Sequence, residues 1–239
     1  MVVRLFIDPS EDGGEMRPGR RVVLPPGQSH YVAGVMRMRP GDALAVFDGV
    51  SGEHAAVVAE VGRRVVALEL GERTAPLRRP PDVWLMFAPI KKARTDFIVE
   101  KAAELGAARI VPVRTERTQS ERVRVDRLRA HAVEAAEQCG GTFVPEIAEM
   151  APLGRILDGW DPARRLVFCD EGSAGEPGGM PDAPAPAALL IGPEGGFSEP
   201  ERARLQGMAA VASLGPRILR ADTAAAAALA LWQAAHGDW

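Results

Sequence analysis

The sequence predicts a two-part α/β fold, in which an N-terminal β-barrel precedes a larger α/β domain with a mostly parallel sheet. Residues 1–72 contain short apolar segments separated by turn signals, which is typical of a small barrel. From Val83 onward, apolar segments alternate with helical patterns, which indicates a parallel sheet covered by helices. Between the two parts, residues 73–81 are rich in proline and arginine, as linkers often are. We therefore expect domains at 1–72 and 82–239.

The candidate strands of the first domain are bounded by turn signals such as Pro40-Gly41-Asp42 and Asp48-Gly49. They are Arg4–Ile7, Arg21–Leu24, Ala43–Phe47, Ala55–Ala59 and Val65–Leu70. One helix is expected to interrupt them around His30–Arg37. Many short strands with such turns predict a barrel rather than a helical domain.

The candidate strands of the second domain include apolar runs without alternation, such as Val83–Ala88, as expected of strands buried on both faces. They are Val83–Ala88, Arg109–Val113, Leu166–Cys169, Leu189–Ile191 and Val211–Leu214. The expected helices are Thr95–Leu105, Val125–Cys139, one beginning at Ser198, and one from Asp222 or Thr223 to about Ala235. Thr95 or Asp96 is the expected cap of the first of these helices, and Gly106 is its stop.

Composition excludes several classes of protein. The two cysteines, Cys139 and Cys169, are too few for a disulfide framework, so a cytoplasmic location is expected. No apolar run is long enough to span a membrane, so no membrane partner is expected. The four histidines do not pair with each other or with cysteine at metal-ligand spacing, so we expect no metal site.

The charge is unevenly distributed along the chain. The formal net charge is −3, yet residues 73–130 form a basic block between two acidic ones. A basic block is compatible with a polyanion such as RNA. A solvated helix face would produce the same pattern, so charge alone does not separate the two interpretations.

The most informative segment is Leu189–Glu201, in which an apolar run leads into a glycine-rich loop and then into a helix start. Ser198 and Glu201 have the spacing of a capping box, and Pro200 suits the first helical turn. Such a junction combines unpaired backbone N–H groups with space for a small molecule to approach the backbone closely.

Three loops follow apolar strands and are expected at the same edge of the sheet: Asp170–Ser173, Gly192–Phe197 and Gly215–Thr223. Ligands of open α/β sheets bind at the carboxyl ends of the strands. Neither the dinucleotide nor the P-loop glycine fingerprint is present. The loops could also be only tight connections, with Asp222 acting as a helix cap and Arg220 pairing with a nearby carboxylate.

Two motifs together resemble a known family. Leu190–Ser198 and Leu214–Ala224 look like the paired signature of the bacterial 16S ribosomal RNA uridine-N3 methyltransferases, the RsmE family of the SPOUT superfamily. Upstream residues agree, including Lys91-Lys92, Glu137–Gly140 and Arg37–Asp42. Two positions depart from the family pattern: Asp222 stands where glutamate is usual, and Gly141 stands where a basic residue is frequent.

The resemblance implies a PUA-like barrel that grips RNA and a SPOUT-type domain with a trefoil knot, the knot and cofactor site lying within about residues 166–239. It also implies S-adenosylmethionine as cofactor and a homodimer. The substrate would be one uridine of 16S rRNA near the decoding site, presented by free rRNA or by the small ribosomal subunit.

The resemblance also assigns site residues. Arg220 would stabilise the charge that develops on the uracil, and Asp222 or Glu194 would accept the N3 proton. The expected cofactor-binding residues are Ile191, Gly192, Pro193, Glu194, Gly195, Gly196, Leu214, Gly215, Ile218, Leu219, Glu171 and Ser173. The expected RNA-binding residues are Lys91, Lys92, Arg94, Arg114, Arg117, Arg122, Arg124 and Arg37.

Three other functions are compatible with parts of the pattern. A SPOUT methyltransferase could act on a ribose 2′-hydroxyl or on another RNA base. A non-catalytic RNA-binding assembly factor could keep the fold without the chemistry. An unrelated nucleotide-binding enzyme is disfavoured, because the phosphate-loop fingerprints are absent.

Overall fold

The computed structural model describes residues 2–12, 14–120, 122–170, 172 and 179–239. The chain divides into two compact units. The first contains residues 1–79 and 136–143, and the second contains residues 80–135 and 144–239. The segment 136–143 includes the end of a long helix. The domain boundaries predicted from the sequence did not place this segment in the first unit.

The first unit is built on a sheet that has five strands among its described residues, in the order β1-β3-β4-β5-β2. The strands are β1 (Arg4–Phe6), β2 (Arg21–Val23), β3 (Ala43–Phe47), β4 (Glu53–Val61) and β5 (Val66–Ala75). β1 pairs with β3 in parallel, and the remaining neighbours are antiparallel. All five candidate strands are confirmed, with shifts of a few residues at their ends.

The helical segments of this unit are short. They are α1 (Pro9–Asp12), α2 (Pro26–His30) and a π-helical turn over Tyr31–Val35. The helix expected at His30–Arg37 therefore begins four residues early, because Pro26 occupies the first turn, where its missing N–H costs nothing. Arg37 follows with a φ of +55°, an uncommon value for a residue with a side chain.

The first residues of the expected linker, 73–81, belong to a strand. β5 runs through Ala75, which pairs with Glu53, and the Thr74 hydroxyl donates to the Glu53 carboxylate at 2.9 Å. Arg78 N–H then donates to the Thr142 hydroxyl at 2.9 Å. These hydrogen bonds fix residues that composition alone marked as linker.

Arg4 ties β1 to the end of the long helix within the first unit. Its guanidinium donates to the carbonyls of Ala136, Glu137 and Gly141 at 2.8 to 2.9 Å. Its Nε pairs with Glu53 at 2.7 Å. A cation near the last carbonyls of a helix complements both the unpaired acceptors and the dipole.

The second unit contains a sheet that has seven strands among its described residues, and every strand pair in it is parallel. The strands are β6 (Val83–Phe87), β7 (Arg109–Arg114), β8 (Glu146–Ile147), β9 (Ala151–Pro152), β10 (Arg165–Cys169), β11 (Ala187–Ile191) and β12 (Ala210–Ala212). The order is β12-β10-β11-β6-β7-β8, with β9 also pairing with β7. The expected parallel α/β sheet is confirmed, whereas the trefoil knot remains a prediction.

Helices cover both faces of this sheet. They are α3 (Lys92–Glu104), α4 (Val125–Cys139), α5 (Leu153–Asp158), α6 (Glu199–Gln206) and α7 (Ala221–His236). Leu85 and Phe87 of β6 pack in one core with residues of α3, α4 and α7. Met86 faces the opposite core, which contains residues of α5 and α6. Burial on both faces explains the apolar character of the central strands.

Two expected helix caps are wrong. α3 begins at Lys92, with Lys91 at the N-cap, and buried Thr95 instead joins the backbone of Ile90 through two hydrogen bonds of 3.1 Å. α7 begins at Ala221, with Arg220 at the N-cap, so Asp222 lies inside the first turn. The predicted stop at Gly106 is confirmed by its φ of +75°, which favours glycine. Strand β12 ends at Ala212, two residues earlier than expected.

Within the described part of the chain, no helix combines the length and apolar character needed to cross a membrane.

The Arg4 network generates a stability prediction. Arg4→Met should lower the free energy of unfolding by about 2 to 4 kcal/mol, because it leaves three carbonyls and a half-buried carboxylate without their donor. Urea denaturation measures the change. Arg21→Met is the matched control, since Arg21 pairs with Glu60 on the exposed surface and should cost less than about 1 kcal/mol. Equal losses for the two variants would contradict the assigned role of Arg4.

Candidate functional site

A cavity of about 230 Å³ lies at the carboxyl ends of β10, β11 and β12. The strand register brings three chain segments together here, because Cys169 is paired with Ile191 on one side and with Ala212 on the other. All three residues line the cavity. For their described residues, the sequence prediction that the following loops meet at one edge of the sheet therefore matches the observed geometry.

Ten of the sequence-predicted site residues line this cavity. They are Ile191, Gly192, Pro193, Glu194, Gly196, Leu214, Gly215, Ile218, Leu219 and Arg220. Gly195 and Asp222 are not among the lining residues. Glu171 and Ser173 lie outside the described residues.

The loop after β11 is held by the helix that follows it. Ser198 and Glu201 form the predicted capping box, with Ser198 N–H donating to the Glu201 carboxylate at 3.0 Å and Glu201 N–H donating to the Ser198 hydroxyl at 3.4 Å. Gly196 has a φ of +66°, which favours glycine. The second oxygen of Glu201 accepts from Glu116 N–H at 2.9 Å, so this carboxylate also fixes the loop after β7.

Gly192 and Gly195 have different surroundings in this loop. A Cβ at Gly192 would lie 3.0 Å from the ring of Phe197, which is buried and packs edge-on against Phe168. A Cβ at Gly195 would make only ordinary contacts, at 3.6 and 3.7 Å, with the aliphatic part of Arg117. A side chain at Gly192 would therefore have to displace the Phe197 ring, whereas a Cβ at Gly195 would not.

The loop after β12 contributes both apolar and basic groups. Gly215 has a φ of +99°, and the loop ends at α7, whose first turn is closed by a 2.7 Å hydrogen bond from Ala224 N–H to the Arg220 carbonyl. Arg220 lines the cavity, and no carboxylate among the described residues pairs with it. Ile218 lines the cavity with a side chain that is largely exposed.

Arg94 lies between the two candidate proton acceptors. Its Nε is 3.7 Å from an Asp222 oxygen, and its Nη1 is 3.9 Å from a Glu194 oxygen. The Asp222 side chain is 18% exposed and that of Glu194 is 42% exposed, so Asp222 is the better shielded of the two. The sequence had placed Arg94 on an RNA-binding surface, whereas the structure places it beside these carboxylates.

The other expected RNA-binding residues of this unit are unevenly placed. Arg117 donates to the Gly195 carbonyl at 2.6 Å. Arg124 pairs with Asp126 at 2.6 Å, and this hydrogen bond and charge lower the pKa of Asp126 and raise that of Arg124. The remaining members are exposed on the surface: Lys91, Lys92, Arg114 and Arg122.

Sequence reasoning missed seven lining residues. They are Cys169, Asp170, Phe197, Ala212, Arg217, Ala221 and Ala224. Asp170, Phe197, Arg217 and Ala221 fell within the three loops, so their position in the sequence was a usable signal. Burial raises the pKa of the Cys169 thiol to about 12, which keeps it neutral at physiological pH and unsuited to act as a nucleophile.

The arrangement provides a mostly apolar cavity with backbone groups, two acidic side chains and two arginines at its border. Among the described residues, no three His, Cys, Asp or Glu side chains are grouped to hold a metal ion. Such a cavity can hold a small organic molecule against a polar reactant.

Comparison with known families gives two matches along the chain. Residues 78–233 match an RNA methyltransferase domain, and residues 24–70 match an RNA methyltransferase PUA domain. The first match covers more than half of the chain. The two matches correspond to the α/β and barrel parts of the fold.

Individual relatives agree with these matches. A protein of Mycobacterium bovis named ribosomal RNA small subunit methyltransferase E is 30% identical over 96% of this chain and 90% of its own length. A putative methyltransferase from Legionella pneumophila, solved with bound S-adenosylmethionine, is 30% identical with a TM-score of 0.88 and full coverage of both chains. The ribosomal RNA small subunit methyltransferase E of Neisseria gonorrhoeae, also solved with bound S-adenosylmethionine, is 26% identical, with a TM-score of 0.88 and full coverage of both chains.

The expected α/β domain with a parallel sheet and the expected PUA-like domain are confirmed, whereas the knot remains a prediction, and this chain belongs to the family of RNA methyltransferases that includes ribosomal RNA small subunit methyltransferase E.

Proposed function

We propose that this chain uses S-adenosylmethionine to methylate N3 of one uridine of 16S rRNA near the decoding site. The observation that carries the proposal is the cavity formed by the loops after β10, β11 and β12, in which ten expected site residues meet. Relatives named for small-subunit rRNA methylation, and full-length structural neighbours bound to S-adenosylmethionine, support the choice of cofactor and substrate.

The cavity suits the size and chemistry of this cofactor. Its volume of about 230 Å³ is many times the roughly 10–15 Å³ that a cavity needs to hold one water molecule, so it has room for an organic ligand. Ile191, Leu214 and Leu219 would provide apolar contact for an adenine ring, and Gly192 and Gly196 line the cavity without a side chain. S-adenosylmethionine would supply an activated methyl group on a positively charged sulfur.

Arg220 is suited to stabilise the reacting uracil. Removal of the N3 proton spreads negative charge onto O2 and O4 of the base, and a planar guanidinium matches such an oxygen acceptor. Because no carboxylate among the described residues pairs with Arg220, its charge is available to the substrate. Its place at the start of α7 positions it on the cavity border.

The proton acceptor is Asp222 or Glu194. Asp222 lies in the first turn of α7, and one of its carboxylate oxygens is 3.7 Å from Nε of Arg94. Glu194 lines the cavity and lies 3.9 Å from Arg94. Either carboxylate could take the proton directly or through water. The shorter side chain of Asp222, compared with glutamate, favours transfer through water for that residue.

RNA would be gripped by the exposed basic side chains of each unit. In the second unit these are Lys91, Lys92, Arg114 and Arg122, and their charges suit phosphate contacts. In the first unit, Arg37 is exposed and has a left-handed backbone conformation, a feature that often accompanies binding sites. The target uridine must be unpaired or flipped out, because pairing in a duplex covers N3.

The proposal includes a cytoplasmic homodimer. Phe97 of α3, Leu231 of α7 and Ile218 beside the cavity are large apolar side chains that are 39%, 43% and 72% exposed in the single chain. A second copy of the chain would remove such surface from water.

The direct test is a methylation assay with S-adenosylmethionine on free 16S rRNA and on small ribosomal subunits, followed by mass spectrometry of the nucleosides. We expect 3-methyluridine at one position. A 2′-O-methylated nucleoside or another modified base would overturn the uridine-N3 assignment. Failure to bind S-adenosylmethionine at millimolar concentration in calorimetry would favour a non-catalytic assembly factor.

The two loop glycines provide a prediction about cofactor affinity. Gly192→Ala should weaken S-adenosylmethionine binding by at least about tenfold, because the added methyl group would displace the Phe197 ring and with it the cavity wall. Calorimetry measures the affinity. Gly195→Ala is the matched control in the same loop and should change it by less than about threefold, since its Cβ has ordinary space. The opposite ranking of the two variants would contradict the assigned loop geometry.

A second prediction concerns the role of Arg220. Arg220→Ala should lower kcat by about 100- to 1000-fold, the cost of removing one donor to a developing oxyanion, with little change in cofactor affinity. Steady-state kinetics and calorimetry give the two values. Arg155→Ala, an exposed residue of α5, should leave both unchanged. Comparable losses of kcat and cofactor affinity in Arg220→Ala would assign this arginine to cofactor binding instead.

A further inference from the structure

We infer that Asp170 binds the cofactor directly, as a hydrogen-bond acceptor for one of its donor groups. This inference rests on the proposed use of S-adenosylmethionine. Asp170 follows the last residue of β10 and lines the cavity. Its side chain is only 5% exposed, so it is the buried carboxylate of a cavity whose other acidic lining residue, Glu194, is much more open to solvent.

Arg202 of α6 holds the Asp170 carboxylate in place. Its Nη1 lies 2.7 Å from both carboxylate oxygens. One of these oxygens also accepts from Gly172 N–H at 3.1 Å. The guanidinium and the backbone donor therefore fix the orientation of the carboxylate.

The pair is poorly arranged for stability alone. A buried carboxylate loses its hydration, and a single guanidinium nitrogen offsets only part of that loss. The Nε of Arg202 is buried with no hydrogen-bond partner among the described residues. A well-optimised structural ion pair would use the forked, bidentate geometry available to arginine. A carboxylate retained in this arrangement indicates a role for its charge in the cavity.

The carboxylate has acceptor capacity beyond these contacts. An ionised carboxylate offers about four lone-pair sites, and the two donors described above use only part of them. S-adenosylmethionine carries two kinds of donor that such a group recognises, the ribose hydroxyls and the α-ammonium group. Carboxylates at the carboxyl edge of parallel sheets bind ribose hydroxyls in other nucleotide-binding folds, which makes the ribose a chemically reasonable partner.

The first experiment compares Asp170→Asn with wild-type protein in calorimetric titrations of S-adenosylmethionine. We expect the affinity to fall by about 10- to 100-fold, as for loss of a hydrogen bond to a charged group. In methylation assays, KM for the cofactor should rise while kcat at saturating cofactor is largely kept. Unchanged affinity and KM would overturn the inference.

Asp158→Asn is the matched control. Asp158 pairs with Arg204, also on α6, at 2.7 Å, and both side chains are exposed and outside the cavity lining. This variant should bind S-adenosylmethionine as wild-type protein does. Equal loss of affinity in Asp158→Asn and Asp170→Asn would assign the effect to α6 and overturn the inference.

The double variant Asp170→Asn/Arg202→Met distinguishes direct cofactor binding by Asp170 from mere neutralisation of the Arg202 charge. It removes both charges and so avoids the unpaired guanidinium that Asp170→Asn leaves buried. Affinity that stays weak in the folded double variant supports direct binding by the carboxylate. Affinity that returns to the wild-type value would show that Asp170 serves only to neutralise Arg202, which would overturn the inference.

Two cofactor fragments identify the donor. S-adenosylhomocysteine carries the ribose and the amino-acid group, whereas 5′-methylthioadenosine keeps the ribose and lacks the amino-acid group. If Asp170→Asn weakens both, the partner is the ribose; if it weakens only S-adenosylhomocysteine, the partner is the ammonium group. Either result supports the inference. Absence of S-adenosylmethionine binding by wild-type protein would instead contradict the proposed function itself.

Discussion

The site depends on the register of three parallel strands. Cys169 of β10 is the partner of Ile191 in β11 and of Ala212 in β12, so the three strands present their carboxyl ends at the same edge of the sheet. A shift of one residue in either pairing would turn the cavity-lining side chains toward the opposite face. The buried apolar residues on both faces of these strands oppose such a shift, because it would not preserve their packing.

Charged groups then refine the cavity that the register creates. Arg202 holds Asp170, and Arg94 lies within 4 Å of both Asp222 and Glu194. Glu201 and Arg117 join the loop after β7 to the loop after β11. These contacts connect segments that are distant in sequence. We therefore expect substitution of Glu201 or Arg117 to change the shape of the site even if neither side chain contacts a ligand.

Local sequence signals predicted much of the fold. The bounds of α4 and β3, and the capping box of Ser198 and Glu201, depend on neighbouring residues and were predicted correctly. The predicted start of α3 at Thr95 was wrong. The Thr95 hydroxyl hydrogen-bonds to the backbone of Ile90 instead of capping the helix, and the local sequence pattern does not reveal this contact. The family resemblance, rather than periodicity, suggested the cofactor and most site residues.

Long-range packing decided the rest. The contrast between Gly192 and Gly195 depends on the Phe197 ring, whose position follows from its contact with Phe168 in β10. Arg94 was expected on the RNA surface, yet the packing of α3 places it near Asp222, more than 120 residues later in the chain. Asp170 was visible in the sequence only as part of a loop, and its burial and pairing with Arg202 appear only in the folded chain.

The most direct test of the central claim is a crystal structure of the protein with S-adenosylmethionine. We expect the adenosine part to lie between the loops that follow β11 and β12, in contact with Gly192 and Leu219. Cofactor bound at any other place on the molecule would contradict the account, because the register of the three strands would then have no connection to methyl transfer.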